Sequence, residues 1–434
     1  MEEIYDYLII GGGPAGSTAA TVLARAGQRV LVLERERFPR FHVGETLLPF
    51  CYHIFKDLGV LDTMERTFSR KPGVTFSSEN NQQYSHWCFN HLIKDESNLS
   101  FHVERSTFDN LLLRNAEQHG AQVQEETRVT GMERIAEGVL LRSNRGEYRG
   151  RFVLDATGQD SLLGKLLGTR QKNERLAPRI AVSTQWSGAQ LDETLRRGGL
   201  RIIHLEGEKQ GWTWMIPVAE DKLSVGVVTD LSYYKERRQA LAPMGAGWLD
   251  EYYRQEVFAS ALGQEILAQA QPVRELAINS DYSYRVTEKY SDHYAIIGDA
   301  SAFLDPMFAS GVYLAMKSAL LVAEALLAHP TETRQVGLAQ VYEEVSGAYA
   351  LIERMIETYY NPEAIKFPEA QDLLTFSQQE DIFSIIHLIL AGDFFANHEK
   401  YHAALDALNS KKNIDRFVNL SGHTRATTQA ICEA

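Results

Sequence analysis

The pattern of apolar and polar positions changes texture twice along the chain. Near the start, Tyr7, Leu8, Ile9 and Ile10 form a short apolar run, as expected for a buried parallel strand. Residues 17–26 are helix formers, Gly27 stops that helix, and residues 29–33 (RVLVL) predict a second strand ending at Glu34. Residues 50–58 and 106–120 predict further helices, the latter capped by Ser106. Short strands follow across 122–142 and at 152–154, the last running into Asp155-Ala156-Thr157-Gly158. From about 179 to 284 alternation dominates, with strands at 180–186, 200–205, 212–217 and 223–230, which predicts a mainly antiparallel sheet. An apolar strand returns at 294–297, followed by a strongly apolar helix over 312–329. Beyond Thr331 the pattern is helical, at 334–359, 380–390 and 398–408, and the final residues 421–434 are polar and read as frayed.

These textures divide the chain. Residues 1–76, 101–178 and 285–330 predict a discontinuous Rossmann-type α/β domain. Residues 77–100 and 179–284 predict an inserted, mainly antiparallel β-sheet domain, and 331–434 a C-terminal helical region.

The turn after the first strand carries candidate chemistry. Gly11, Gly13 and Gly16 fall in the spacing G-x-G-x-x-G, with Pro14 and Ala15 between them. Such a turn lets backbone approach a pyrophosphate and lets the helix pack closely on the strand. The helix N-terminus then offers N–H groups to the phosphates, and Glu34 is placed to accept from a ribose hydroxyl. Strand, turn, helix and acid together predict dinucleotide binding.

Composition narrows the partners. Lys+Arg 44 against Asp+Glu 57 gives a net charge of −13, which disfavours nucleic acid. The three cysteines, Cys51, Cys88 and Cys432, form no C-x-x-C pair, which predicts a reducing cytoplasm and no disulfide framework. The chain enters a strand almost at once, so no signal peptide is expected. The longest apolar run is broken by Lys317 and Glu324, so no membrane span is expected either. No residue is assigned to a metal.

With these residues in hand, the chain resembles the FAD-dependent monooxygenases of the p-hydroxybenzoate hydroxylase type, which share a glutathione-reductase-like FAD-binding fold. The resemblance rests on Gly11 to Gly16, Glu34, Arg105 with Asp109, and Gly298-Asp299, and covers about three quarters of the chain. It implies FAD held by Glu34, Arg35, Arg105 and Asp299, with the helix beginning at Gly311-Val312 facing the flavin. The hydroxylase motif for NADPH is absent, so reduced FAD is expected from a separate flavin reductase.

Four stretches are similar to one branch, the flavin-dependent halogenases that act on phenols and pyrroles. Trp212-Thr213-Trp214-Met215-Ile216-Pro217 resembles W-x-W-x-I-P. Residues 41–49, containing Gly44-Glu45-Thr46, resemble the F-H-[IV]-G-E-S-L-L-P loop beside the flavin. Lys71-x-Gly73-x-x-Phe76 resembles the stretch that carries the family's catalytic lysine. Residues 305–312 resemble D-P-x-F-S-S-G-V, which places chloride or bromide near Phe308, Ser310 and Gly311. The departures are Thr46 and Ala309 in place of serines, and Pro72 after the lysine.

The resemblance implies oxidation of halide to hypohalous acid at the reduced flavin, using oxygen. Lys71 relays the halogen to an electron-rich aromatic substrate, free or tethered to a carrier protein. Trp212 and Trp214 wall that substrate off from the flavin. Such chemistry belongs to secondary metabolism. The rivals are a reductase or dehydrogenase like the geranylgeranyl reductases, a monooxygenase, and a flavoprotein with a docking role only. His42 and His102 are candidate bases or structural residues. Tyr359, Tyr360, Phe394 and Phe395 are assigned to the helical core rather than to a substrate pocket.

Overall fold

The computed structural model describes residues 4–280, 282–369, 382–409 and 431–432. The fold is built on two large sheets that face a common cavity. In the first, Ile4–Ile10 lies between two parallel neighbours, Val30–Leu33 and Gly146–Asp155. Gln122–Gln124 extends one side, and Tyr294–Ile296 adds a further parallel strand beside Gly146–Asp155. Ile10 is in register with both Leu33 and Asp155, so three strand ends converge where the glycine turn begins. Parallel strands need both faces covered. One face is covered by the helices Pro14–Arg25 and Gly311–Ala328, whose alanines at 19, 20, 319 and 323 are fully buried.

In the second sheet the order runs Arg179–Ser187, Lys222–Asp230, Trp212–Ala219, Leu200–His204, Gly73–Ser78, Tyr84–Cys88. The pairings along this path are antiparallel except Leu200–His204 with Gly73–Ser78. Period-two alternation divides the central strand. Trp212, Trp214 and Ile216 face the cavity, while Met215 joins the opposite core with Val225 and Val227. The long helix Arg334–Tyr360 packs against Gly311–Ala328 and brings its C-terminal tyrosines to His204 and Trp212, at the ends of two interior strands of this sheet. Ile382–Ala391 and His398–Leu408 complete the helical region.

Several expectations are corrected. Residues 73–76 were grouped with the first unit, but they belong to the second sheet, zipped parallel to Leu200–His204. The stretch where strand alternation dominates also contains the helices Leu231–Leu241, Trp248–Ala259 and Ala261–Ile266, which cover the sheet's outer face through Tyr252, Tyr253 and Val257. The helix expected to be capped by Ser106 starts at Arg105, with Glu104 before it and no side-chain cap. Glu380 and residues 421–430 and 433–434 lie outside the described residues.

The cysteine expectation is also overturned. Cys88 and Cys432 are disulfide-bonded across 344 positions, and Cys51 is free and buried. Spacing along the chain could not reveal a pair made only by folding, and the cysteine argument for a reducing cytoplasm goes with it. Denatured, unreduced protein is expected to titrate one thiol, rising to three after reduction. Three thiols before reduction would contradict the pairing.

One helix, Gly311–Ala328, is apolar and long enough to cross a membrane by length and composition. Half of it is buried against the protein itself, as for a core helix.

Candidate active site

A single cavity of about 740 Å³ runs from the glycine turn to the tryptophan strand. Its size sits in the upper part of the usual range for ligand pockets, about 300–1,000 Å³. At one end are Gly11, Gly13, Pro14, Ala15, Glu34 and Arg35. Gly11 takes φ +101°, and a Cβ there would stand 2.4 Å from the Ala156 carbonyl oxygen. A Cβ on Gly16 would stand 1.9 Å from the Gly11 carbonyl oxygen. Gly16 therefore acts from behind the cavity, by letting helix and turn touch. Glu34 is buried and already oriented: its carboxylate accepts from the Gly12 N–H at 2.7 Å and the Glu36 N–H at 2.8 Å. Arg35 is ion-paired to Asp160 across the mouth.

The middle is shaped by the 40–46 loop. Arg105 grips Asp109 through Nε at 2.7 Å and Nη2 at 2.9 Å, and its Nη1 donates to the Val43 carbonyl at 2.8 Å. Burial would raise the Asp109 pKa, but the guanidinium outweighs it and holds the carboxyl below its ordinary range. Gly44 takes φ +104°, with Arg105 3.0 Å from where a Cβ would lie. The buried Thr46 hydroxyl has no partner among the described residues. Asp299, also lining the cavity, is raised to about 7 by burial, against the pull of Arg105.

At the far end, the helix Gly311–Ala328 points its N-terminus into the cavity. Ser310 precedes it without a side-chain cap, so the N–H groups of Gly311 and Val312 remain for a ligand. Ala309 takes φ +53°, a left-handed turn. Phe308 turns away and packs at 6.1 Å from Tyr359 and 6.0 Å from Phe367. Trp212 and Trp214 form the opposite wall, ring centroids 5.5 Å apart. Trp214 lies flat on Gly226, where a Cβ would come within 2.1 Å of its ring.

Lys71 is placed behind this cavity and does not line it. It is 2 % exposed, and its Nζ donates to the Leu47 carbonyl at 2.9 Å. Nζ lies 5.3 Å from the Phe89 ring centroid. Burial lowers its pKa to about 7. Thr46, next in the chain to Leu47, lines the cavity, so the carbonyl that holds the amine belongs to the loop forming the cavity wall. His102 is fully buried, bonded at Nε2 to the Gly198 carbonyl, and held neutral by burial at about 3. His42 faces the cavity with Nδ1 against its own Val43 carbonyl. Phe394 and Phe395 pack on Tyr313, in the core.

The residues fit FAD. The glycine turn brings bare backbone to the cavity, with Gly11 and Gly16 packed too closely behind it for any Cβ, the free helix N-termini suit phosphate and the polar edge of a flavin, and the Thr46 hydroxyl has no partner among the described residues. Comparison with known proteins agrees. A family model described as an FAD binding domain matches residues 5–353. The chain is 31% identical over 344 residues to the 1H-pyrrole-2-carbonyl-[peptidyl-carrier protein] chlorinase of Pseudomonas fluorescens, covering 74% of this chain and 75% of that one. The chain belongs to the flavin-dependent halogenases. It is also 33% identical to a tryptophan 2-halogenase of Chondromyces crocatus over 74% of its own length, but spans only 60% of that relative. Among solved structures, a variant of the flavin-dependent brominase Bmp2 superposes with a TM-score of 0.78 at 26% identity, covering 95% of this chain and all of that one. The chondrochloren halogenase CndH gives 0.74 at 28% identity, covering 93% and 97%. FAD and halide are thus the cofactors of this halogenase family.

Tyr282 and Arg179 carried no signal in the sequence, and Tyr360, assigned to the helical core, joins them. Asp305 lies between the hydroxyls of Tyr360 at 3.1 Å and Tyr282 at 3.5 Å, and Arg179 stacks on the Tyr360 ring at 3.3 Å. These residues come from three distant stretches, and nothing local marks them.

Proposed function

We propose that the chain halogenates an electron-rich aromatic, phenolic or pyrrolic, and that Lys71 relays the halogen. One observation carries this reading: a single cavity joins the dinucleotide turn, an uncapped helix N-terminus and a paired tryptophan wall. Bound reduced FAD, with oxygen, supplies the oxidising equivalents that convert halide to hypohalous acid.

The protein's own groups do the rest. The N–H groups of Gly311 and Val312, at the positive end of an 18-residue helix, hold the anion. Ser310 adds a hydroxyl, and Ala309 forgoes one. The Arg105–Asp109 pair fixes the 40–46 loop against the cofactor. The Lys71 amine, near pKa 7, is about half neutral at neutral pH and therefore nucleophilic. Its nitrogen takes the halogen while the hydroxide leaves with an amine proton as water. The same amine, when protonated, can instead hydrogen-bond the acid and orient it. Trp212 and Trp214 present flat apolar faces to an aromatic ring and separate it from the flavin end.

A separate reductase supplies the reduced flavin. The substrate is free or tethered, and the pyrrole carrier-protein relatives favour the tethered form. The test is a panel of phenols and pyrrole-2-carbonyl groups, free and carrier-bound, supplied with enzymatically reduced FAD, oxygen and bromide or chloride. Mass spectrometry is expected to show one halogen added, only when halide and protein are both present. Hydroxylated products without halogen would contradict the reading.

A further inference from the structure

Both cavity tryptophans are tethered by the same kind of chain. The Trp212 Nε1–H donates to the Tyr360 hydroxyl at 2.9 Å, and that hydroxyl donates to Asp305 Oδ2 at 3.1 Å. The Trp214 Nε1–H donates to Ser224 Oγ at 3.2 Å, and Ser224 lies beside the Glu45 carboxyl, which also accepts from the Gln185 amide. Each runs indole, hydroxyl, carboxyl. The two carboxyls belong to the two loops that approach the flavin site: Glu45 follows Gly44, and Asp305 opens the turn to Ser310. Asp305 Oδ1 also accepts from the Met307 N–H at 2.9 Å, so one carboxyl sets both that turn and Trp212.

Glu45 and Asp305 are 3 % and 5 % exposed. Burying carboxyls costs stability unless their bonds are satisfied, and an apolar wall would pack as well. Buried polar groups do need partners in any core. What satisfaction alone leaves unexplained is that both indoles end on cofactor loops, from opposite sides.

We propose that Glu45 and Asp305, acting through Ser224 and Tyr360, are positioning residues that couple the orientation of the Trp212–Trp214 wall to the two cofactor-facing loops. The consequence for catalysis rests on the halogenase reading; the tether does not. With the tether intact, the wall keeps one orientation whenever the loops are ordered around FAD. With it cut, the indoles turn and oxidised halogen escapes.

The experiment uses the full-length, FAD-loaded protein. Two indoles this close give exciton-coupled circular dichroism, assigned by its loss in Trp212→Phe. Tyr360→Phe and Ser224→Ala are each expected to cut the couplet to half or less at unchanged FAD content, and together to remove it. Asp305→Asn, which keeps an acceptor, retains the couplet, while Asp305→Ala loses it. With bromide, oxygen and reduced FAD, escape of oxidised bromine to a dissolved acceptor such as monochlorodimedone rises about 2- to 12-fold in Tyr360→Phe, the shift that loss of one ordinary hydrogen bond allows. A wild-type couplet persisting in both single variants overturns the proposal. So does a couplet lost equally in Asp305→Asn and Asp305→Ala. If the wild type oxidises no halide, the dichroism still decides the tether, so the two readings fail separately.

Discussion

Lys71→Met is expected to abolish halogen transfer while making the protein more stable at neutral pH. The two effects have one cause. The amine is buried beside Leu47, Phe89 and Cys51, where its charge loses most of its hydration. Burial brings the pKa from 10.5 down to about 7. The folded chain bears the full cost of a buried ammonium below about pH 7. Between about 7 and 10.5 it releases a proton that the unfolded chain keeps, so this position's contribution to stability rises with pH across that window. Methionine has similar length and no charge. Its advantage, on the order of several kcal/mol for a displacement from 10.5 to about 7, is therefore largest below pH 7 and shrinks as pH rises towards 10.5. Thermal unfolding at pH 6 and pH 9 checks the sign. Halogenated product, meanwhile, falls by about 100-fold or more, the range for losing a catalytic group. Retained product formation in the variant would remove Lys71 from the relay, and unchanged stability at pH 6 would mean that the amine is solvated.

Gly16→Ala is expected to strip the protein of FAD. The new Cβ would meet the Gly11 carbonyl oxygen at 1.9 Å, and that carbonyl belongs to the turn itself. Backbone cannot rotate aside as a side chain could. Either the helix Pro14–Arg25 shifts or the turn opens, and in both cases the phosphate cradle is spoiled. Overpacking of this kind costs about 1–3 kcal/mol, and if it falls on the bound geometry FAD affinity drops about tenfold or more. Gly131→Ala is the control, because its Cβ would meet nothing within 4 Å. Flavin absorbance per protein after purification reads the result. Full FAD content in Gly16→Ala would mean that the glycine turn is not the phosphate site.

The parts legible in the sequence were those set by local rules. Gly11 and Gly13, the acid at the second strand's end and the period-two tryptophans landed on the cavity, with Gly16 directly behind it, because backbone geometry alone decides which way they face. The start of the helix at Gly311 was legible for the same reason. What escaped depends on distant segments meeting. Cys432 returns to Cys88 from 344 positions away. Tyr360, assigned to the core, ends a 27-residue helix at the one place where its hydroxyl can reach Trp212 and Asp305. Phe308 was placed beside the halide, yet the left-handed turn at Ala309 sends its ring into the Tyr359 and Phe367 cluster. Lys71 kept the expected loop, but only the fold shows it buried behind the cavity wall, and that burial is what lowers its pKa.

The central claim is that this chain couples oxygen and reduced FAD to oxidation of a halide. The most direct measurement needs neither substrate nor reductase. The FAD-loaded protein is photoreduced without oxygen, then mixed with oxygen and an excess of monochlorodimedone, with and without bromide, beside free reduced FAD. The account predicts halogenated acceptor that requires both protein and bromide. Reoxidation of the flavin with no halogenated acceptor at any bromide concentration would contradict it, and would point instead to a reductase or dehydrogenase built on the same cradle.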